Sequence, residues 1–185
     1  MDTIYRFKIT LKHTKPVIWR RFAVRNTITL PKLHRVIQIV MGWEDDHLHE
    51  FSLGHDQRYG KVDPEWGSDG MQNEARVKLN TLLAHEKDKL TYMYDFGDSW
   101  EHTLVLEKIL PGDSMDLPHP ECLAGELACP PEDCGGIPGY YDLIEVLSNP
   151  EHSDYEDMKE WIGEDFNPEY FDIKDVNQHL AQLKK

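Results

Sequence analysis

The strictest pattern in the chain lies near its N-terminus, in the stretch "IYRFKITLK". Four apolar residues alternate there with polar or basic ones: Tyr5, Phe7, Ile9 and Leu11. A period of two is typical of a strand with one buried face, and a slip by one residue would bury the lysines. We therefore expect residues 4–12 and 17–25 to pair antiparallel, with the apolar side chains buried. The cations of the first strand are expected to be exposed: Arg6, Lys8 and Lys12.

The rest of the chain places hairpins and helices in separate blocks. "TLPKLHRVIQIVMGW" predicts an amphipathic helix, with Pro31 in its first turn and Gly42 at its C-terminal cap. Three further stretches indicate strands: "HEFSLG", "KLTYMYDF" and "EHTLVLEKIL". "RYGKVDPEWGSDGMQNEA" predicts a turn-rich excursion, and "TLLAHE" a short helix. Residues 111–139 hold six of the 11 prolines and predict an ordered loop or a series of turns.

Three helices are expected to finish the chain, the last of them starting at Asp172 as N-cap. Because strands come in hairpins and do not alternate with helices, the predicted class is α+β. We expect a single domain over residues 1–185. Its antiparallel sheet is built from hairpins, and a helix of the N-terminal half and the C-terminal helices pack on it.

The formal charge of −14 is unevenly distributed over the 185 residues. Residues 1–43 carry nine Lys or Arg against one Asp, a net of +8, whereas the remainder carries 11 against 33, a net of −22. Such asymmetry indicates either an anion-binding end or two surfaces that neutralise each other, within the monomer or across a homodimer. The acidic total predicts weak or no binding to nucleic acid.

Two features predict a cytoplasmic protein without a membrane partner. The N-terminus "MDTIYRFKI" lacks the apolar core of a signal peptide, and no stretch approaches the roughly 18 apolar residues of a membrane span. Three cysteines, an odd number, fit free thiols in a reducing compartment. Their spacing lacks the close C-x2–4-C pair of structural zinc sites.

Four segments, in order, carry a resemblance to a known family: "PVIWRRFAV", "LHRVIQIVMGWEDDHLHEF", "YDFGDSWEHTLVLE" and "CPPEDCGGIPGYYDLIEVL". Together they resemble the plasmid pRiA4b ORF-3-like family, over about residues 4–180. Some members of that family are labelled transposon resolvase or insertion-element passenger protein. The resemblance therefore implies a context of mobile DNA elements, although no serine-recombinase layout is evident in the chain.

Two histidines and the turn in "YDFGDSWEHTL" form a candidate metal site. In "HLHEF", His47 and His49 lie two residues apart, so on a strand both would point the same way. Asp98 and His102 flank the turn, and histidines with a carboxylate are typical of zinc or manganese sites. Alternatively, the histidines donate hydrogen bonds at a strand end and Asp98 binds its own backbone. Gly97 is expected to supply the positive φ of this turn.

The stretch "PPEDCGG" suggests a candidate ligand pocket. Its prolines stiffen the chain before Glu132 and Asp133, and its glycines permit a sharp turn after them. Either the loop presents these carboxylates to a ligand, or Asp133 caps the helix that follows. Trp43 and Trp100, beside charged residues, either pack in the core or wall the same pocket.

Five cations form a basic strip that is a candidate contact for nucleic-acid phosphates: Arg6, Lys8, Lys12, Lys32 and Arg35. No recognised DNA-binding motif accompanies them, and a solvated face or docking onto acidic helices is the alternative. Two functions fit the sequence. One is a binding or accessory domain associated with mobile DNA elements; the other is a metal-dependent hydrolase or nuclease that uses the histidine and carboxylate residues.

Overall fold

A computed structural model describes residues 3–62, 70–163 and 166–183. Its strands are β1 Thr3–Leu11, β2 Trp19–Arg25, β3 His49–Leu53, β4 Gln57–Gly60, β5 Gln72–Asn73, β6 Lys89–Tyr94, β7 Trp100–Pro111 and β8 Glu121–Glu126. Its helices are α1 Leu30–Met41, α2 Gly136–Ser148, α3 Tyr155–Ile162 and α4 Ile173–Gln182. Residues 63–69, within the predicted excursion, lie outside the described residues.

The strands form one sheet in the order β5-β4-β3-β6-β7-β1-β2-β8. Every neighbouring pair in this sheet is antiparallel except β4 and β5, which are parallel. Helix α1 packs on β2 and on α4, and α4 packs on β8. The predicted α+β class, with an antiparallel sheet built from hairpins, is confirmed.

The register predicted for the first hairpin is confirmed. Phe7 of β1 lies opposite Phe22 of β2, and β2 begins at Trp19, two residues later than expected. The four alternating apolar residues of β1 are at most 4% exposed. The intervening cations are partly buried and not fully exposed, because they contact neighbouring strands on the outer face.

Helix α1 has the predicted ends. Pro31 stands in its first turn, and Gly42 adopts φ +102° and donates its N–H to the carbonyl of Gln38. A left-handed residue at this position is a common helix terminator, and glycine adopts it without steric cost. Helix α4 begins as predicted, because Asp172 accepts hydrogen bonds from the N–H groups of Lys174 and Asp175.

Two predictions of secondary structure are wrong. The proline-rich stretch 111–139 contains strand β8, which pairs with β2 and completes one edge of the sheet. Position 125 of β8 requires glycine, because a Cβ there would lie only 2.6 Å from the Arg20 side chain and 2.8 Å from the Phe171 side chain. The helix predicted in "TLLAHE" does not form, and the 3-10 turn at Leu79–Thr81 overlaps that stretch only at Thr81.

Candidate metal centre

The turn between β6 and β7 lies against the loop before α2. Asp98 Oδ2 accepts a hydrogen bond from Gly135 N at 3.1 Å. At Gly136, where φ is +68°, a Cβ would lie 2.5 Å from the Asp98 carbonyl oxygen, so only glycine fits this approach. Two loops that are far apart in sequence therefore form one surface at this end of the sheet.

Asp95, and not Asp98, shapes the turn by binding its own backbone. Its Oδ1 accepts a hydrogen bond from Gly97 N at 2.8 Å, and its carbonyl accepts one from Ser99 N at 2.7 Å. The positive φ angles of the turn belong to Asp95 (+55°) and Ser99 (+58°), so the prediction for Gly97 is wrong. A short side chain that bonds to local backbone lets aspartate adopt this conformation.

His47, in the loop between α1 and β3, faces three carboxylates. Its Nε2 lies 3.2 Å from Asp133 Oδ1 and 3.7 Å from Glu132 Oε2, and its Nδ1 lies 3.8 Å from Asp95 Oδ1. One ligand atom each from His47, Asp95 and Asp133 lies within 4.8 Å of the others. Ligand atoms on one tetrahedral ion, with bonds of about 2.1 Å, are about 3.4 Å apart. A contraction of at most about 1.4 Å would let these groups share an ion.

Two buried atoms of this cluster have no hydrogen-bond partner among the described residues, His47 Nε2 and Glu132 Oε2. The other oxygen of Glu132 accepts hydrogen bonds from Glu44 N and from the Tyr94 hydroxyl, both at 3.0 Å. Burial, with the Glu132 carboxylate beside it, raises the pKa of Tyr94, so the phenol keeps its proton and donates it. Glu132 is thus held by one oxygen while the other faces the cluster.

Trp43 and Trp100 pack in the core beneath the cluster, 6% and 0% exposed. Their ring centroids lie 6.2 Å apart, and Trp43 also lies 4.9 Å from the ring of Tyr94. The indole N–H of Trp43 donates to the carbonyl of Pro130 at 3.0 Å. Trp43 therefore anchors the loop that carries Glu132 and Asp133.

His49 belongs to a second, buried polar cluster. Its Nε2 lies 3.0 and 3.1 Å from the two carboxylate oxygens of Glu74, and its ring stacks on His34 with centroids 3.5 Å apart. His34 contacts the Tyr92 hydroxyl at 2.7 Å through Nδ1 and Asp45 Oδ1 at 2.5 Å through Nε2. Burial and the neighbouring His49 lower the pKa of His34. A neutral His34 that accepts from Tyr92 and donates to Asp45 satisfies both contacts.

His102 also lies apart from the candidate ligands. It is fully buried, its Nδ1 lies 3.2 Å from the Tyr92 carbonyl, and burial lowers its pKa to about 3. Of the four predicted metal ligands, His47 alone joins the cluster within the described part of the chain, whereas Asp98 holds the neighbouring loop. Glu132 and Asp133, predicted as pocket residues, do join it. Asp95 completes the group and was absent from the sequence prediction, although it lies in the same turn motif.

The basic strip is divided between two surfaces. On β1, Arg6 lies 3.6 Å from Glu107 and Lys8 lies over the ring of Trp19; just after the strand, Lys12 lies 2.5 Å from Glu101. Two cations lie on helix α1, both exposed: Lys32 and Arg35. Part of the basic segment thus pairs with acidic residues inside the same chain.

The three cysteines are free thiols. Burial raises the pKa of Cys122 to about 11 and that of Cys134 to about 12, and it also raises the pKa of Cys129. Protonated thiols are poor metal ligands, because binding requires the thiolate. Within the described residues, no cysteine belongs to a group of ligand atoms close enough to hold an ion.

Comparison with known proteins places the chain in a family. The model of the plasmid pRiA4b ORF-3-like protein family matches residues 3–175. The chain belongs to the plasmid pRiA4b ORF-3-like family. It is 37% identical over 183 residues to the uncharacterized protein y4hQ of Sinorhizobium fredii (strain NBRC 101917 / NGR234), covering 98% of this chain and 92% of that protein.

A solved structure shows the same fold. The crystal structure of a protein of unknown function, MM3350 from Methanosarcina mazei Go1, has 41% sequence identity and a TM-score of 0.85, covering 95% of this chain and 98% of that chain. Three of the four segments that carry the resemblance to the pRiA4b ORF-3-like family supply the cluster. They contain His47, Asp95, and the pair Glu132 and Asp133, respectively. No helix in the described ranges is long and apolar enough to cross a membrane.

Proposed function

We propose that this member of the pRiA4b ORF-3-like family is a binding domain for a divalent cation held by His47, Asp95 and Asp133, with Glu132 beside them. The observation that carries the proposal is the pair of buried atoms, His47 Nε2 and Glu132 Oε2, that face each other at 3.7 Å without a hydrogen-bond partner among the described residues. A buried polar atom without a partner costs about 1–3 kcal/mol. A cation bound to His47 would remove that cost for Nε2, and its charge would stabilise the nearby Glu132 carboxylate.

The donor set favours zinc or manganese. One imidazole nitrogen with several carboxylate oxygens is a mixed set that suits borderline and hard divalent ions, whereas the thiolates that soft metals prefer are absent from the cluster. A bound metal is present in a fixed ratio to the protein, so elemental analysis measures it directly.

Metal content and affinity test the proposal. Protein stripped with a chelator should bind one equivalent of Zn²⁺ or Mn²⁺ in calorimetric titration. H47A and D133N should each weaken binding by more than the roughly 10–100-fold that loss of an outer-shell partner costs. H55A and D113N, on exposed loop residues, are the matched controls and should bind like the parent. Equal affinity in H47A and H55A would contradict the site.

A metal-dependent hydrolase is the second candidate, favoured by the exposure of the cluster. The Asp133 side chain is 72% exposed, so an ion at this position would keep coordination sites for water and substrate. Three protein ligands and an open position are typical of catalytic metal sites, where the ion activates a bound water. Hydrolysis of nitrophenyl phosphates and acetates should then require added Mn²⁺ or Zn²⁺ and be lost in D133N. Metal binding without any such turnover supports the binding domain instead.

We also propose that any association with mobile DNA elements proceeds without strong nucleic-acid binding. The chain carries −14 overall, and Arg6 of β1 and Lys12, just after that strand, already lie beside glutamates. Few phosphates could be neutralised, so duplex binding should be weak and lost at moderate salt. Tight binding at physiological salt in a mobility-shift assay would contradict this. A homodimer through basic and acidic surfaces stays a proposal, tested by sedimentation at low and high salt.

A further inference from the structure

A pocket of about 330 Å³ lies beside the N-terminal half of helix α1, between that helix and the loop before β8. Four side chains that carry or can carry positive charge line it: Arg25, Lys32, Arg35 and His119. Its volume is at the lower end of the range of small-molecule sites, which starts near 300 Å³. The candidate metal centre lies beyond the other end of α1, and the 12-residue helix is about 18 Å long.

The cations of this pocket differ from those of β1. Lys32 and Arg35 lie three positions apart on α1, so their side chains share one face of the helix. Among the described residues, neither has a carboxylate within 4 Å, although the chain carries 34 Asp and Glu. Arg25 also lines the pocket, and its guanidinium donates a hydrogen bond to the Gly112 carbonyl at 2.8 Å. Two cations on one helix face therefore converge on a concave surface in a strongly acidic chain.

The helix itself adds a positive field. The N-terminus of an α-helix carries a partial positive charge. Few free amides add to it here, because Leu30 N donates to the Val77 carbonyl at 2.9 Å and Pro31 has no N–H. No acidic residue stands in the first turn of α1, and the Thr29 hydroxyl makes no capping hydrogen bond there. Thr27 and Thr29, which both line the pocket, therefore offer hydroxyl donors beside the cations.

The remaining walls are apolar. Six side chains supply them: Ile28, Val36, Leu117, Pro118, Pro120 and Leu183. Val36 and Leu117 are buried, so the surface open to a ligand belongs to the other four. A purely inorganic anion would leave this surface in water, whereas an anion on an apolar body would cover it and gain about 25 cal/mol per Å². Arginine forks match the oxygens of phosphate and carboxylate groups, and clustered cations favour a doubly charged head.

We propose that this pocket binds a small organic phosphate, with the phosphate held by Lys32 and Arg35 and its apolar body against Ile28, Pro118 and Leu183. A free phosphate monoester fits better than the end of a nucleic-acid strand. The site is concave, and the cations in and just after β1 that would extend a path for a strand lie beside Glu101 and Glu107. Phosphate chemistry is shared by both sources, and the binding experiment separates them.

The test is calorimetric or NMR titration of the full chain with four probes: phenyl phosphate, inorganic phosphate, benzyl alcohol and a 5′-phosphorylated oligonucleotide. Phenyl phosphate should bind more tightly than inorganic phosphate, and benzyl alcohol should not bind detectably. R35Q and K32Q should each weaken phenyl phosphate about tenfold, because each removes one charge-assisted contact. K89Q, at an exposed cation on β6 outside the pocket, should leave the affinity unchanged.

Three results would overturn the proposal. Equal affinity for phenyl phosphate and inorganic phosphate would remove the role of the apolar walls. Tighter binding of the oligonucleotide than of phenyl phosphate would assign the pocket to a nucleic-acid end. Equal losses in R35Q and K89Q would show that the probe responds to overall charge and not to this pocket. Thermal unfolding of each variant without ligand serves as the check that the fold is intact.

Discussion

Arg20 is a buried cation whose replacement tests how the sheet is joined to helix α1. It is 2% exposed, and its guanidinium donates four hydrogen bonds to main-chain carbonyls at 2.7–2.8 Å. The acceptors are the carbonyls of Val40 near the end of α1, of Glu126 and Leu127 at the end of β8, and of the neighbouring residue Trp19. Its guanidinium carbon also lies 4.1 Å from the ring centre of Phe171.

The expected cost of R20M follows from these contacts. Burial lowers the pKa of Arg20, yet arginine keeps its charge at neutral pH. Four hydrogen bonds from a charged donor are worth at least about 6 kcal/mol in total. The methionine variant also removes a buried charge that costs several kcal/mol to desolvate. We therefore expect a net loss of about 3–5 kcal/mol, which for a chain of this size lowers Tm by roughly 6–20 °C.

Urea unfolding followed by tryptophan fluorescence measures this loss, with R21M as the matched control. Arg21 is the next residue and makes two hydrogen bonds to the carboxylate of Glu107 at 2.6 and 2.9 Å, but its side chain is 32% exposed. An exposed ion pair contributes about 1 kcal/mol or less. If R20M and R21M lose the same free energy of unfolding, the carbonyl contacts of Arg20 do not stabilise the fold as argued.

Two more predictions concern single positions. His102 has a folded pKa of about 3 against 6.5 unfolded, so the unfolded chain takes up its proton first and stability falls as pH drops below 6.5. At pH 5 the loss of unfolding free energy from His102 is about 2 kcal/mol. H102F should therefore reduce the difference in unfolding free energy between pH 7 and pH 5 by that amount. If the difference is the same in H102F and the parent, His102 is not its source. G136A and G54A introduce a Cβ at similar φ angles, +68° and +65°, but only the first meets backbone, 2.5 Å from the Asp98 oxygen. G136A should therefore lower Tm and weaken metal binding more than G54A, and equal effects would contradict close packing of the two loops.

The sequence predicts the sheet well where burial follows chain position. In β1 the alternation of Phe7 and Lys8 assigns each face directly, and in α1 the positions of Pro31 and Gly42 define both ends. Strand β8 is not predicted, because its sequence "ECLAGE" has no clear alternation of apolar and polar residues and includes Gly125. That glycine is explained only by the side chains of Arg20 and Phe171, which reach it from elsewhere in the fold.

The sequence indicated the motifs of the candidate site but not which of their residues lie together in the fold. His47 and Asp95 lie 48 positions apart, and Asp133 lies a further 38 positions along the chain. Their proximity depends on the packing of three loops and not on any spacing. A hydrogen bond pattern within the turn decides which aspartate faces His47, because Asp95 bends back onto Gly97 while Asp98 turns outward to Gly135.

Packed aromatic residues beneath the cluster hold its side chains in place before an ion binds. Trp43 lies near the ring of Tyr94 and also donates to the carbonyl of Pro130, so one side chain connects the end of α1, the end of β6 and the carboxylate loop. The Tyr94 hydroxyl in turn holds one oxygen of Glu132. Side chains held this way before a ligand arrives lose little conformational entropy when it binds, which favours affinity. Asp133, the exposed member, is the residue left to close on the ion.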